Sequence, residues 1–305
     1  MLIWAGSGIA VKEALVVFTP LTLIVLRFTL AVILMLAIGL IFRQNNILGL
    51  QRMDRKDLPL FLLGGLFQPF LYFIFETYTY QSFASPTIAE AMLSTQPVLA
   101  PIFAFVLLRE RVTRNNIIGI LISTIGMLML LLMGNGDMGN GLLAIGNGKG
   151  VILAILTVSM SVSYSVILRR IPSRYSPLSI VFYVQSISLI LFYIVWIVMG
   201  EAGTLLHHVA PFYTTLHDTP QLLQSCFAVG YLAVLSSVAA FVLFCYTVRQ
   251  IGVTRANIFN NVRPVFTAIL MWILFGEILP VWKLVGIAVI IIGLFISEKK
   301  VKNQP

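Results

Sequence analysis

The chain has 305 residues, of which 59% are hydrophobic and only 10% charged, with a mean hydropathy of +0.99, against about 25% charged residues in ordinary soluble domains. Water is therefore excluded as its main solvent. The formal charge of +9 does not point to nucleic acid, because its basic residues sit in short gaps between apolar runs rather than on one face.

Continuous, non-alternating apolar runs in lipid imply helices of about 20 residues, since a β-barrel strand alternates. In chain order the runs predict spans at 1–18, 20–42, 58–80, 86–108 and 115–133. They continue at 149–168, 176–199, 223–247, 254–275 and 279–297. The first run reaches Lys12 after about eleven residues and reads as a clipped helix, with no basic segment that would mark a signal peptide. Gly/Asn-rich 134–148 reads as a flexible linker, and 298–305 as a basic tail. Cys226 and Cys245, in one predicted span, read as small packed residues rather than a disulfide.

The chain repeats itself. Pro97, Glu110, Gly119 and Gly126 return 167 positions later as Pro264, Glu277, Gly286 and Gly293. Phe18-Thr19-Pro20-Leu21-Thr22 returns as Tyr175-Ser176-Pro177-Leu178-Ser179. Residues 1–133 and 149–297 thus read as two five-span copies, and an odd number of spans per copy implies that the second is inverted. Charge supports this. With both termini cytoplasmic, fifteen of the twenty Lys and Arg lie inside, among them Arg43, Arg52, Arg55, Lys56, Arg169, Arg170, Arg174 and Arg249. Lys12, Lys149 and Lys283 fall outside, and the basic residues around Glu110 are absent around Glu277.

Ionisable groups within spans are costly, about 2.5–3.5 kcal/mol each at a helix centre, and mark function. Arg27, Glu76, Glu90 and Arg263 are such groups; the alternative for each is mutual pairing, or for the glutamates snorkelling to an interface. Thr87, Glu90, Ser94 and Pro97 lie on one helix face, repeated as Thr254, Asn257, Asn261 and Pro264, with Asn260 widening the stripe. The stripe reads as a cavity lining or as interhelical glue. Gln68 and Tyr72 continue the Glu76 face, and Gln185 joins them beside Tyr183 in span seven. Pro97 and Pro264 are candidate hinges, each freeing a carbonyl one turn earlier. Tyr78, Tyr80, Tyr246, Trp196, Trp272 and Trp282 read as an interfacial aromatic belt, with Trp4 a weaker cavity candidate. Gly119, Gly126, Gly286 and Gly293 read as packing surfaces within the bundle or between protomers.

The Pro and Glu of span four, the paired Gly of span five, their repetition and Arg27-Phe28 early in span two together resemble the EamA-type branch of the drug/metabolite transporter superfamily. The resemblance implies an all-α membrane protein of ten helices in two inverted repeats. It implies a secondary-active exporter or exchanger of small organic metabolites, such as amino acids, in the cell membrane. Arg27 and Arg263 favour a carboxylate or zwitterion, and Glu76 or Glu90 is a candidate for a coupling proton.

The other expected partners are the lipid bilayer and a second protomer; no cofactor, metal or nucleic acid is expected. Gly146-Asn147-Gly148-Lys149-Gly150 lacks the hydroxyl residue and strand of a phosphate loop. His207, His208 and His217 lack convincing co-ligands. The competing readings are an integral membrane enzyme acting on a lipid-linked substrate, with Glu76, Glu90 and Arg263 catalytic, and a scaffold whose polar stripes are fully paired.

Overall fold

The computed structural model describes residues 2–44, 48–83, 89, 92–93, 96, 114–132, 148–200, 220–253, 256, 263–276 and 281–298. Among them no strand occurs. The helices are α1 (Leu2–Ala14), α2 (Pro20–Ile41), α3 (Leu58–Gly65), α4 (Tyr72–Ser82), α5 (Arg114–Leu132) and α6 (Gly148–Arg170), then α7 (Pro177–Val198), α8 (Pro220–Tyr231), α9 (Ala240–Ile251), α10 (Arg263–Phe275) and α11 (Val281–Glu298). Among the described residues, five stretches are long and apolar enough to cross a membrane: Pro20–Ile41, Arg55–Ser82, Gly148–Arg170, Pro177–Val198 and Gln221–Ile251. Their outward faces carry Ile33, Leu40, Ile155, Ile190 and Ile194, as a lipid solvent requires. Shorter apolar segments, Ile117–Gly126 and Leu284–Gly293, lie in α5 and α11.

The repeated Thr/Ser-Pro-Leu-Thr/Ser motif is a repeated helix start. Thr19 (φ −67°, ψ 155°) accepts from the Thr22 amide, and Ser176 (φ −65°, ψ 152°) from the Ser179 amide. Each cap satisfies an orphan N–H, while the following proline already holds a helical φ.

Span three, expected as a continuous helix, is kinked, whereas span eight stays continuous but widens into a π turn. A π segment, Leu66–Leu71, joins α3 to α4, with Gln68 extended inside it (φ −148°, ψ 118°) and Pro69 lacking an amide proton. A second π segment, Leu232–Ala239, joins α8 to α9. Their edges are 166 and 168 residues apart, bracketing the interval of the sequence repeat. Gly252 ends α9 at φ +87°, a backbone geometry that side chains resist.

The glycine stripes pack within the bundle, on α5 against α11. A Cβ on Gly126 would stand 2.7 Å from the Gly286 carbonyl oxygen, and one on Gly293 2.6 Å from the Ser123 nitrogen. The two backbones touch, which only glycine allows at those positions.

The core gathers Phe28, Phe61, Phe73, Tyr164 and Phe192 between α2, α3, α4, α6 and α7. Phe28 meets Phe73 edge-on at 4.9 Å and stacks on Phe192 at 5.3 Å. Two expectations change here. Tyr80 is fully buried in a second cluster with Val11, Leu23 and Leu232, so it packs the interior instead of joining an interfacial belt. Cys226 is exposed while Cys245 is buried, so only the latter packs inside; both are free thiols.

Candidate functional site

The kink of span three and the π turn of span eight meet at a polar chamber. Gln68 comes from the first π segment and Ser236 from the second; α2 supplies Arg27, α4 supplies Tyr72, Phe73 and Glu76, and α10 supplies Arg263. Trp4 and Ser7 of α1, Ser161 of α6, Phe241 and Phe244 of α9, and Gln96 complete the wall. The space that the centre of a water molecule can reach is about 20 Å³, room for about one water. Its polar groups crowd together and leave little free space between them.

Arg27 is 2% exposed. Its Nε donates to Ser237 Oγ at 2.6 Å and its Nη2 to Ser236 Oγ at 2.9 Å. Its guanidinium carbon lies 4.3 Å from the centroid of the Phe73 ring and 5.5 Å from that of Phe28. These acceptors are neutral and the rings offer only their quadrupoles, so the contacts hold the cation without cancelling its charge.

The π segment sets that grip. The Ser236 carbonyl accepts from Trp4 Nε1 at 3.3 Å, and the Ser237 carbonyl accepts from Gln185 Nε2 at 2.6 Å. An α-helix would direct both carbonyls along its own axis; the wider turn aims them at neighbouring helices while their hydroxyls face Arg27.

Opposite charge comes from α4. Tyr72 donates its hydroxyl proton to Glu76 Oε1 at 2.7 Å, a pair one helical turn apart. Glu76 is 4% exposed, so it is buried rather than snorkelled. The Oε1 of Gln68, also buried, has no hydrogen-bond partner among the described residues, leaving an acceptor at the chamber. Arg263 is 4% exposed, with its guanidinium carbon 5.9 Å from the Trp4 ring centroid. Thr267 ties α10 to α1 by donating to the Ala5 carbonyl at 3.0 Å. Gln96 donates through Nε2 to Ser161 Oγ.

Of the residues expected from sequence, Arg27, Gln68, Tyr72, Glu76, Arg263 and Trp4 meet here. Gln185 stands one layer behind, where it orients Ser237. Glu90, Ser94, Asn257, Asn260, Asn261 and Pro97 lie outside the described residues. So do Glu110, Glu277 and the three histidines. Pro264 lies in α10 beside Arg263, and its side chain is outside the description. Sequence reasoning missed Gln96, Ser7, Ser161, Ser236, Ser237 and the three phenylalanines. A polar residue beside a proline (Gln96) and paired serines in an apolar run (Ser236-Ser237) were the available signals.

A second polar cluster joins segment 48–57 to the α6–α7 turn. Arg174 donates to Asp57 Oδ2 and lies 2.7 Å from Asp54 Oδ2, while Tyr175 donates to Asp57 Oδ2 at 2.7 Å. Hydrogen bonding to Tyr175, and then the charge of Asp57, hold the Arg174 guanidinium above its ordinary pKa. Arg249 donates to the carbonyls of Tyr175 at 2.6 Å and Pro172 at 2.8 Å, and Arg169 donates to the Arg249 carbonyl. Ser176 Oγ donates to the Gly49 carbonyl at 2.6 Å, and Tyr183 to that of Gln51 at 2.9 Å.

Comparison with known proteins places these features among relatives. A family model described as the EamA-like transporter family matches residues 1–132 and 148–298. The uncharacterized transporter YcxC of Bacillus subtilis (strain 168) is 28% identical, over 97% of this chain and 91% of its own length. YetK of the same organism is 26% identical, over 98% and 84%. An uncharacterized transporter of Archaeoglobus fulgidus is 22% identical, over 97% and 95%. A solved structure titled "Crystal structure of protein" superposes with a TM-score of 0.71 at 18% identity, covering 97% of this chain and 93% of that one, and so shares the fold.

Proposed function

Because this chain belongs to the EamA-like transporter family and is a multi-pass membrane protein, we propose that it moves small organic solutes bearing a carboxylate across the cell membrane. It does so as a secondary-active exporter or exchanger, by alternating access. The observation that carries this reading is the placement of Arg27 and Arg263 on one chamber, with Arg27 held by hydroxyls and an aromatic face. A fixed cation in low dielectric favours an anion. Glu76 and the Gln68 carbonyl oxygen offer acceptors for an ammonium group, which extends the class to amino acids and related zwitterions.

Alternating access is supported by the two π segments, spaced like the sequence repeat and both at the chamber. Irregular turns around a central site let a transporter offer backbone polar groups to a solute without exposing them to lipid. The units of motion are the repeats 1–133 and 149–297, with Pro97 and Pro264 as hinges and the remaining stripe residues Glu90, Ser94, Asn257, Asn260 and Asn261 completing the lining. The clustering of segment 48–57 with Arg169, Arg174 and Arg249 at one end supports a cytoplasmic face there, with both termini inside.

Reconstituted proteoliposomes test this. Radiolabelled amino-acid and organic-acid panels should show counterflow that Arg27→Gln abolishes. Failure of every carboxylate to exchange would overturn the substrate class. With Glu76→Gln, exchange should persist while accumulation driven by a pH gradient disappears; retained accumulation would remove Glu76 as the proton site. Chemical conversion of a lipid-linked substrate by the detergent-purified protein would favour an enzyme instead.

A further inference from the structure

A second cavity opens beside the chamber. It is a crevice of about 230 Å³ on the flank of the bundle, bounded by Ile3, Trp4, Ala240, Leu243, Phe244 and Thr247. Leu243, 59% exposed, forms its outer lip. Trp4 and Phe244, edge to face at 5.3 Å, line both cavities and form the wall between them.

The crevice offers a ligand apolar surface. The Thr247 hydroxyl donates to the Leu243 carbonyl of its own helix at 2.8 Å, leaving its methyl group for packing. The Trp4 indole N–H is engaged by the Ser236 carbonyl. The chamber, by contrast, concentrates charge in about 20 Å³. Arg263 sits at the boundary, its guanidinium carbon 5.9 Å from the centroid of the Trp4 ring. A molecule with its anionic head on Arg263 and Arg27 is therefore separated from the crevice by a single aromatic layer.

From this juxtaposition we infer that the crevice is the subsite for the apolar arm of the transported solute, which is an amphipathic carboxylate rather than a small hydrophilic one. The inference rests on the carboxylate reading of the chamber. The arm packs on Ala240, Ile3 and the Trp4–Phe244 pair, and the head reaches the arginines when that pair parts. Both parts of the solute then leave water, the head against fixed cations and the arm against hydrocarbon.

Binding to the full chain in detergent tests it. Replacing Trp196, Trp272 and Trp282 by Phe leaves Trp4 as the single tryptophan reporter. Acetate, butyrate, hexanoate and octanoate, with the matching alcohols, serve as probes. Affinity of the carboxylates should rise about fourfold per methylene until the crevice is filled, with the alcohols binding at least about tenfold more weakly because they lack the charge. Ala240→Phe, which fills the crevice, should flatten the rise for long chains and spare butyrate; Thr247→Phe at the rim gives the same readout if the first variant misfolds.

Carboxylate binding that does not depend on chain length would overturn the subsite while leaving the chamber's anion reading standing. A rise of equal slope in both crevice-filled variants would also overturn it, by assigning the gain to detergent partition. Alcohols binding as tightly as carboxylates would overturn the anion reading and the subsite with it.

Discussion

Arg27 and Arg174 are the same side chain in opposite settings. Arg174, its side chain 53% exposed, sits against two carboxylates in the loop cluster. Arg27, 2% exposed, is gripped by two serine hydroxyls and a phenylalanine ring. Where water already screens charge the chain sets carboxylates in direct contact with the cation, and in the buried chamber it sets neutral hydroxyls there, with the Glu76 carboxylate elsewhere on the same wall. The exposed pair fastens two segments together. The buried cation is the one that the proposed carboxylate would meet.

The sharpest way to break this contrast is Arg27→Gln. It should lower exchange of the preferred carboxylate at least about a hundredfold, the scale for removing one partner of a buried charge interaction. Thermal stability in detergent should fall little, since a neutral amide suits the hydroxyls and a buried charge is itself costly. A large loss of stability with residual transport would make Arg27 structural.

Replacing Ser236 and Ser237 together by Ala keeps the cation and removes its grip. Affinity should drop about tenfold, within the range for charge-assisted hydrogen bonds, and the variant with Thr at both positions should recover most of it. Unchanged affinity would show that the π segment does not position Arg27. At the other cluster, Arg249→Gln leaves the Tyr175 and Pro172 carbonyls without their donor and should cost about 1–2 kcal/mol. That effect should appear as a lower melting temperature with the substrate's apparent affinity unchanged.

Arg174→Ala should produce the smallest change, visible only at low ionic strength, because exposed pairs are screened by salt. Its pH dependence follows from the raised guanidinium pKa. A cation whose pKa is raised on folding contributes stability below its unfolded value and loses it as pH climbs through the folded one. That window lies above the ordinary arginine value, far into alkali. No loss attributable to deprotonation of Arg174 should appear in titrations between pH 5 and 9, roughly the working range. A melting curve whose pH dependence in that range is abolished by Arg174→Ala would contradict the assignment.

How much of this was legible depended on the kind of signal. The repeat of Phe18–Thr22 as Tyr175–Ser179 is written in five adjacent residues, and the structure shows what it is for, a helix cap at Thr19 and at Ser176. Arg27, Glu76 and Arg263 were legible because charge in an apolar helix is expensive enough to demand a reason. Gln68 and Tyr72 followed from helical spacing onto Glu76. Ser161, Ser236 and Ser237 were not, because a serine in a membrane helix satisfies its hydroxyl on its own backbone at little cost, as Ser159 does on Ile155.

The π turn at Leu232–Ala239 was hidden for a related reason. Its sequence contains neither Gly nor Pro, so nothing local announces a wider turn; tertiary partners, Trp4 and Gln185, hold its carbonyls. Tyr80 was misplaced because a tyrosine near a helix end looks the same whether its ring faces headgroups or a neighbouring helix.

The backbone contact between α5 and α11 has a consequence for biogenesis. Gly126 finds Gly286 only after nearly the whole chain has left the ribosome. Until then α5 must wait in the membrane with its narrowest face turned to lipid. A nascent chain stopped before α11 therefore carries an unclosed seam along α5.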